Sequence, residues 1–146
     1  MANVKPVPDG YTTVTPFLNV KGAAEAIEFY KKAFGAEQRG PIAPGPNNTV
    51  MHAEIKIGNS LIMIADATQN PPTLASIHLY VDDADALWNR AIKAGAQVSM
   101  PIGDMFWGDR YGVVTDKWGN RWGIATHKED VSMDEVMKRM AGAAKK

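Results

Sequence analysis

The chain states one pattern twice, and this duplication limits its fold more than any other feature. In Gly108–His127, GDRYGVVTDKWGNRWGIATH, two runs rich in β-formers, Tyr111–Thr115 and Arg121–Thr126, flank Asp116–Asn120. Gly119-Asn120 favours a tight reversal because both residues tolerate positive φ, so the stretch reads as a β-hairpin. The same form stands earlier as Val50–Ile57, Gly58-Asn59 and Ser60–Ala65. The two Gly-Asn pairs lie about 61 positions apart. Leu18-Asn19-Val20 lines up with Leu79-Tyr80-Val81, and Phe34-Gly35-Ala36 with Ala94-Gly95-Ala96. Such internal repetition implies one structural unit built twice.

Each copy carries a helix between strands. Thr13–Val20 is β-branched and aromatic and reads as a strand, with Pro16 marking an edge or bulge because it cannot donate to a ladder. Ala23–Phe34 places Ala23, Ala26, Ile27, Tyr30, Ala33 and Phe34 on one helical face, and Gly35 supplies the left-handed stop. Ala36–Pro41 is a short strand and Ala43–Asn48 a loop. Val50–Ile57 alternates, with Met51, Ala53, Ile55 and Ile57 on an apolar face and His52, Glu54 and Lys56 opposite. Asp66–Thr73 has the composition of a linker. In the second copy Ser76–Val81 is a strand, Asp82 or Asp83 caps a helix over Ala84–Ala94, and Leu87, Trp88, Ala91 and Ile92 are its buried face. Ala96–Pro101 is a strand and Ile102–Asp109 a loop. Ser132 and Glu135 then form an S-x-x-E capping box that opens a final helix, whose Met133, Val136, Met137 and Met140 make an apolar stripe. That stripe either docks on the protein's own core or forms a dimer contact.

The expected fold class is therefore α+β, with two βαβββ modules and a C-terminal helix. Residues 1–12 are an extended lead-in, 13–127 one domain (modules about 13–67 and 76–127), and 128–146 a helix and tail. Sixteen basic residues balance sixteen acidic ones, so no overall field draws nucleic acid or an anionic membrane. No apolar run approaches the roughly 18–20 residues of a membrane span. The absence of cysteine removes disulfides, thiolate ligands and thiol nucleophiles. The first residues, MANVKPVPDGY, lack the apolar core of a signal peptide, and a cytoplasmic protein is the expectation. No Gly-rich phosphate loop, nucleophile elbow or HExxH motif occurs.

Taken together, Gly10-Tyr11, Val14-Thr15-Pro16, Ala26 to Tyr30, Met51 to Glu54, Ile77 to Val81, Gly108-Asp109-Arg110, Asp116 to Gly119 and Trp122 to His127 resemble the vicinal oxygen chelate superfamily. This superfamily includes glyoxalase I, bleomycin-resistance and extradiol dioxygenase proteins, and the closer likeness is to its PhnB-like branch. The resemblance covers roughly Val4 to Ser132. It implies two curved mixed sheets around a cavity, and a homodimer. It also implies metal ligands, usually His, Gln or Glu, on the first and last strands of each module. Those positions fall here on Thr15, Ser76, Gly123 and Ile62 or Met63. A glycine and an aliphatic or thioether side chain do not bind a hard divalent cation, and two hydroxyls are poor substitutes. No cofactor is expected at the family position.

Other side chains remain for a ligand. His78 shares the inner face with Ser76, His52 shares a face with Glu54, and His127 follows Gly123 by four residues. Two of these histidines with Glu54 would make a relocated metal triad, or each lines the wall as donor and acceptor. Arg110 pairs with a carboxylate such as Asp109 or Glu54, or meets an anionic ligand. Arg121 reads as structural or solvated and Trp122 as core, while Phe17, Trp107 and Trp118 add aromatic surface, Trp107 above the cavity mouth. The favoured reading is a small-molecule binder using Thr15, Phe17, His52, Glu54, Ser76, His78, Trp107, Arg110 and Gly123. The alternatives are a lyase or dioxygenase with a relocated metal, a metal-free acid–base enzyme using His78 or His52, and a structural dimer with a vestigial cavity.

Overall fold

The structure, a computed structural model, describes residues 3–144. The chain divides into two compact units, Met1–Ala75 and Ser76–Lys146. The first runs β1 (Phe17–Val20), α1 (Ala23–Phe34), β2 (Glu37–Gln38), β3 (Ala43–Pro44), β4 (Val50–Ile57) and β5 (Ser60–Asp66). Its sheet is ordered β1-β5-β4-β2, with β3 pairing β4; β1 runs parallel to β5 and the rest antiparallel. The second unit runs β6 (Ser76–Tyr80), α2 (Ala84–Ala94), β7 (Gln97–Asp104), β8 (Asp109–Thr115), β9 (Arg121–His127) and α3 (Met133–Ala144). Its sheet is ordered β6-β9-β8-β7, with β6 parallel to β9. The architecture is α+β, with two mixed sheets and three helices.

In each unit one sheet face is buried against a helix, and periodicity explains which. Leu18, Val20, Ala53, Ile55, Ile62 and Ile64 meet the Ala26, Ile27, Tyr30 and Ala33 side of α1, all of them buried. Trp122, Ile124 and Val114 do the same toward α2, where Ala84, Trp88 and Ala91 are buried and Leu87 and Ile92 are half-buried. Helix α1 ends on Gly35 at φ 69°, and α2 on Gly95 at φ 113°. Asp83 caps α2 by accepting from the Ala86 N–H at 3.0 Å. The hairpin reversal is organised by Asp116. Its Oδ1 accepts from the Trp118 and Asn120 N–H groups, and its Oδ2 from Trp122 Nε1 at 2.9 Å.

Several boundaries differ from the sequence reading, each for a physical reason. The first strand starts at Phe17, not Thr13, because Thr12 and Thr15 hydroxyls donate to the Val14 and Thr12 carbonyls and hold that stretch in a turn. Pairing begins only at the Pro16 carbonyl, which accepts from the Met63 N–H. Met51 leaves the apolar face and is exposed, because β4 bulges where Ala43 faces His52 and Pro44 faces Val50. Irregular register in β7 hides its alternation, and the strand continues through Asp104, into what reads as a loop. Asp66 ends β5 instead of opening a linker. Helix α1 has no side-chain cap of its own, since its N-cap is Gly22, and Asp66 serves in its place. The Ser132 hydroxyl accepts from the Glu135 N–H as the capping motif predicts. The stripe on α3 is turned outward, however. Met133, Met137 and Met140 are exposed, and Arg139 ties the helix down through the Phe106 carbonyl and Glu129.

Candidate functional site

Strands β6, β9 and β8 bring a set of polar aromatic side chains to the sheet face turned away from α2. The register sets His78 beside Gly123, Tyr80 beside Ala125, Tyr111 opposite Ala125 and Asp109 opposite His127. Gly123 has no side chain for a steric reason. A Cβ there would sit 2.9 Å from Tyr111 Cε1 and 3.0 Å from His78 Nδ1. The two rings therefore close over the glycine, stacked at 5.0 Å between centroids with planes 24° apart. Tyr80 lies 4.7 Å from His78, and Trp107 meets Tyr111 edge-on at 5.8 Å. Tyr80 stays 66% exposed, so the platform faces solvent.

Asp109 is the polar anchor beneath it. Only 3% exposed, it accepts from Trp107 Nε1 at 3.1 Å and from the Tyr80 hydroxyl at 3.3 Å through Oδ2. Its Oδ1 meets His127 Nδ1 at 2.7 Å, and the other nitrogen of His127 meets Asp130 at 2.7 Å. An imidazole donates at both nitrogens only when protonated. The hydrogen bonds to Asp130 and Asp109 accordingly raise the His127 pKa above its ordinary value, against the desolvation that would lower it. The Asp109 charge likewise pushes the Tyr80 phenol up. Because the folded pKa of His127 is raised, its contribution to stability is complete below about pH 6.5 and fades as pH rises through the folded value. We expect the thermal stability of the protein to fall across that window relative to His127→Gln. An NMR titration should show the imidazole pKa dropping in Asp130→Asn; an unmoved titration would count against the bridge.

The first unit presents a different face. Phe17 and His52 rings lie 5.8 Å apart, His52 Nε2 is 3.7 Å from Glu54 Oε1, and Glu54 pairs across the sheet with Met63. Thr15 lies just ahead of β1, its hydroxyl bonded to the Thr12 carbonyl. Of Ile62 and Met63, Ile62 is buried on the α1 side at 2% exposure, and Met63 is the one on the opposite face. At the positions where the sequence reading expects the family's ligands, Thr15, Met63, Ser76 and Gly123 offer donor chemistry that does not fit a hard divalent cation. For the relocated triad, His52 and Glu54 lie in the first unit and His78 in the second. Among the described residues no three His, Asp or Glu side chains group to hold a metal ion.

Arg110 points to the α2 side, not to the aromatic face. It forks onto Asp85 at 2.7 and 2.9 Å and reaches Asp104 at 3.2 Å, so neither Asp109 nor Glu54 is its partner. One register step decides this, since Arg110 shares its face with Gly112 and Val114. Arg121 is exposed, and Trp122 is fully buried. Sequence reasoning missed Tyr80, Tyr111 and Asp109 as site residues. Alternation from His78 reaches Tyr80, and the spacing Asp109-x-Tyr111 at a strand start was the only other signal.

The surroundings of this face can be compared with known proteins. The sequence profile of the Glyoxalase/Bleomycin resistance protein/Dioxygenase superfamily matches residues 11–124. The uncharacterized protein Mb0911c of Mycobacterium bovis is 38% identical over 140 residues, 88% of this chain and 91% of its own. Among solved structures, TioX from Micromonospora superposes with a TM-score of 0.67 at 23% identity, covering 84% of this chain and 99% of its own. TnmS3, an antibiotic binding protein from Streptomyces, does so at 0.64 and 20% identity, covering 80% and 98%. Likeness at these two identities is one of fold. The profile match and the mycobacterial relative carry the conclusion that the chain belongs to the glyoxalase/bleomycin resistance/dioxygenase superfamily.

Proposed function

We propose that the protein binds a flat organic molecule without a metal, stacking it on the aromatic face of the second unit. The observation that carries this reading is the His78–Tyr111 stack closed over Gly123, with Tyr80 exposed beside it. Aromatic faces prefer offset or edge contacts with other aromatic rings, worth about 0.5–1.5 kcal/mol beyond area burial. Asp109 fixes Tyr80 and Trp107 through their polar ends, so the rings are ordered before a ligand arrives and less freedom is lost on binding. The shared fold of TnmS3, an antibiotic binding protein from Streptomyces, supports a small-molecule reading. The acid–base alternative is less well supported: His78 makes ring contacts and no carboxylate bond among the described residues, and both nitrogens of His127 are already engaged.

Calorimetric titration of chelator-treated protein with planar probes such as anthraquinone-2-sulfonate and 2-naphthol tests the reading. Binding should survive the chelator and weaken about tenfold in Tyr111→Ala, which corresponds to about 1.4 kcal/mol. Near-stoichiometric metal in protein purified without chelator, with binding lost on its removal, would overturn it.

A further inference from the structure

The first unit holds a pocket of different chemistry. The stretch from Pro6 to Thr15 lies against the sheet face turned away from α1, with Gly10 close to Leu61, and leaves a space of about 440 Å³ between itself, Glu54 and Met63. That volume suits a small molecule. Pro8, Tyr11 and Met63 give it an apolar wall, while Thr12, Thr15 and Glu54 supply polar atoms. Every one of these polar groups is set to accept. Thr12 and Thr15 spend their protons on main-chain carbonyls and keep oxygen lone pairs free. Among the described residues the Glu54 carboxylate has one ion-pair contact, with the His52 imidazole at 3.7 Å, and no lysine or arginine pairs with it. The Arg39 guanidinium donates to the Asp9 carbonyl and lies over the Tyr11 ring, and Arg39 lines a separate hollow with Lys56.

An apolar chamber with acceptors and one unneutralised carboxylate selects against anions and rewards a donor of positive charge. We propose that this pocket binds an apolar ligand carrying a protonated amine, with Glu54 as the counter-charge and Thr12 and Thr15 as further acceptors. The pocket is lined by first-unit residues alone, and the aromatic platform by second-unit residues.

The full chain would be titrated calorimetrically with 2-phenylethylamine, and with 2-phenylethanol and phenylacetate as neutral and anionic counterparts of the same shape. The amine should bind at least tenfold more tightly than the alcohol, and phenylacetate should not bind. Glu54→Gln should lose at least tenfold in amine affinity while melting as the wild type does, since among the described residues the Glu54 side chain makes no hydrogen bond and only the 3.7 Å contact with His52. His78→Ala should leave amine binding unchanged, which separates this pocket from the second-unit platform whatever that platform binds. Equal affinity for amine and alcohol would overturn the proposal. So would amine binding that persists in Glu54→Gln, or no saturation by millimolar amine.

Discussion

Asp66→Ala is expected to lower the melting temperature by roughly 10 °C, a loss of about 3 kcal/mol. The carboxylate joins three elements. Its Oδ1 accepts from the Gly22 and Ala23 N–H groups at the start of α1, at 2.8 and 3.0 Å, and its Oδ2 from the Val50 N–H at the start of β4, at 2.6 Å. Truncation leaves three donors, two of them part-buried, without an acceptor and removes the negative charge from a helix N-terminus. Asp66→Asn keeps one acceptor oxygen and should fall between alanine and wild type. The pH dependence gives an independent check. Burial would raise the Asp66 pKa, but the three backbone hydrogen bonds outweigh it and hold it below the usual carboxylate value. Its stabilisation is therefore present above the unfolded pKa, about 3.9, and lost as pH falls through the lower folded value. Wild type should lose stability over that acid window while Asp66→Asn is flatter there. Identical acid profiles, or a melting point within 2 °C of wild type for Asp66→Ala, would show that the carboxylate does not hold the junction.

Gly112→Ala should be comparably damaging in the second unit. An added Cβ would lie 2.6 Å from Trp88 Cζ3 and 2.8 and 2.9 Å from the Cα and N of Ile102. The tryptophan ring can shift, but the Ile102 main chain cannot move freely, because its neighbours Met100 and Gly103 pair with Val113 and Tyr111. Overpacking of this kind costs typically 1–3 kcal/mol, and the backbone contact puts Gly112→Ala near the upper end. Chemical denaturation of Gly112→Ala and of Gly112→Ala/Trp88→Leu separates the two contacts. The double variant should recover only part of the loss. Full recovery would mean that the indole alone sets the constraint, and no loss in the single variant would mean that β7 yields.

Local patterns were legible because they are written in one stretch of chain. The helix Ala23–Phe34 with its Gly35 stop, the helix Ala84–Ala94 with Gly95, and the hairpin around Asp116–Asn120 all follow from spacing and turn residues, and all three stand in the structure. Trp122 as a core residue followed from alternation with Gly123. What failed was whatever depends on partners far away or on a single register step. Asp66 reads as linker because its three donors lie 16 to 44 residues earlier in the chain. Arg110 reads equally as a carboxylate partner or a ligand contact, because no local rule names Asp85 on α2 as what it meets.

The candidate site divides along the same line. Its composition was readable in part, with His78 and Gly123 on one face. That part is set by alternation, which needs only the residue order. The assembly of the site was not readable. Tyr80, Trp107 and His127 converge on Asp109 from β6, from the loop before β8 and from β9. The sequence by itself determined two copies of one helix-and-sheet unit. Only the tertiary structure decided which carboxylate is buried and which rings stack, because strand register and bulges place side chains by pairing across the sheet, and residue order does not specify that pairing.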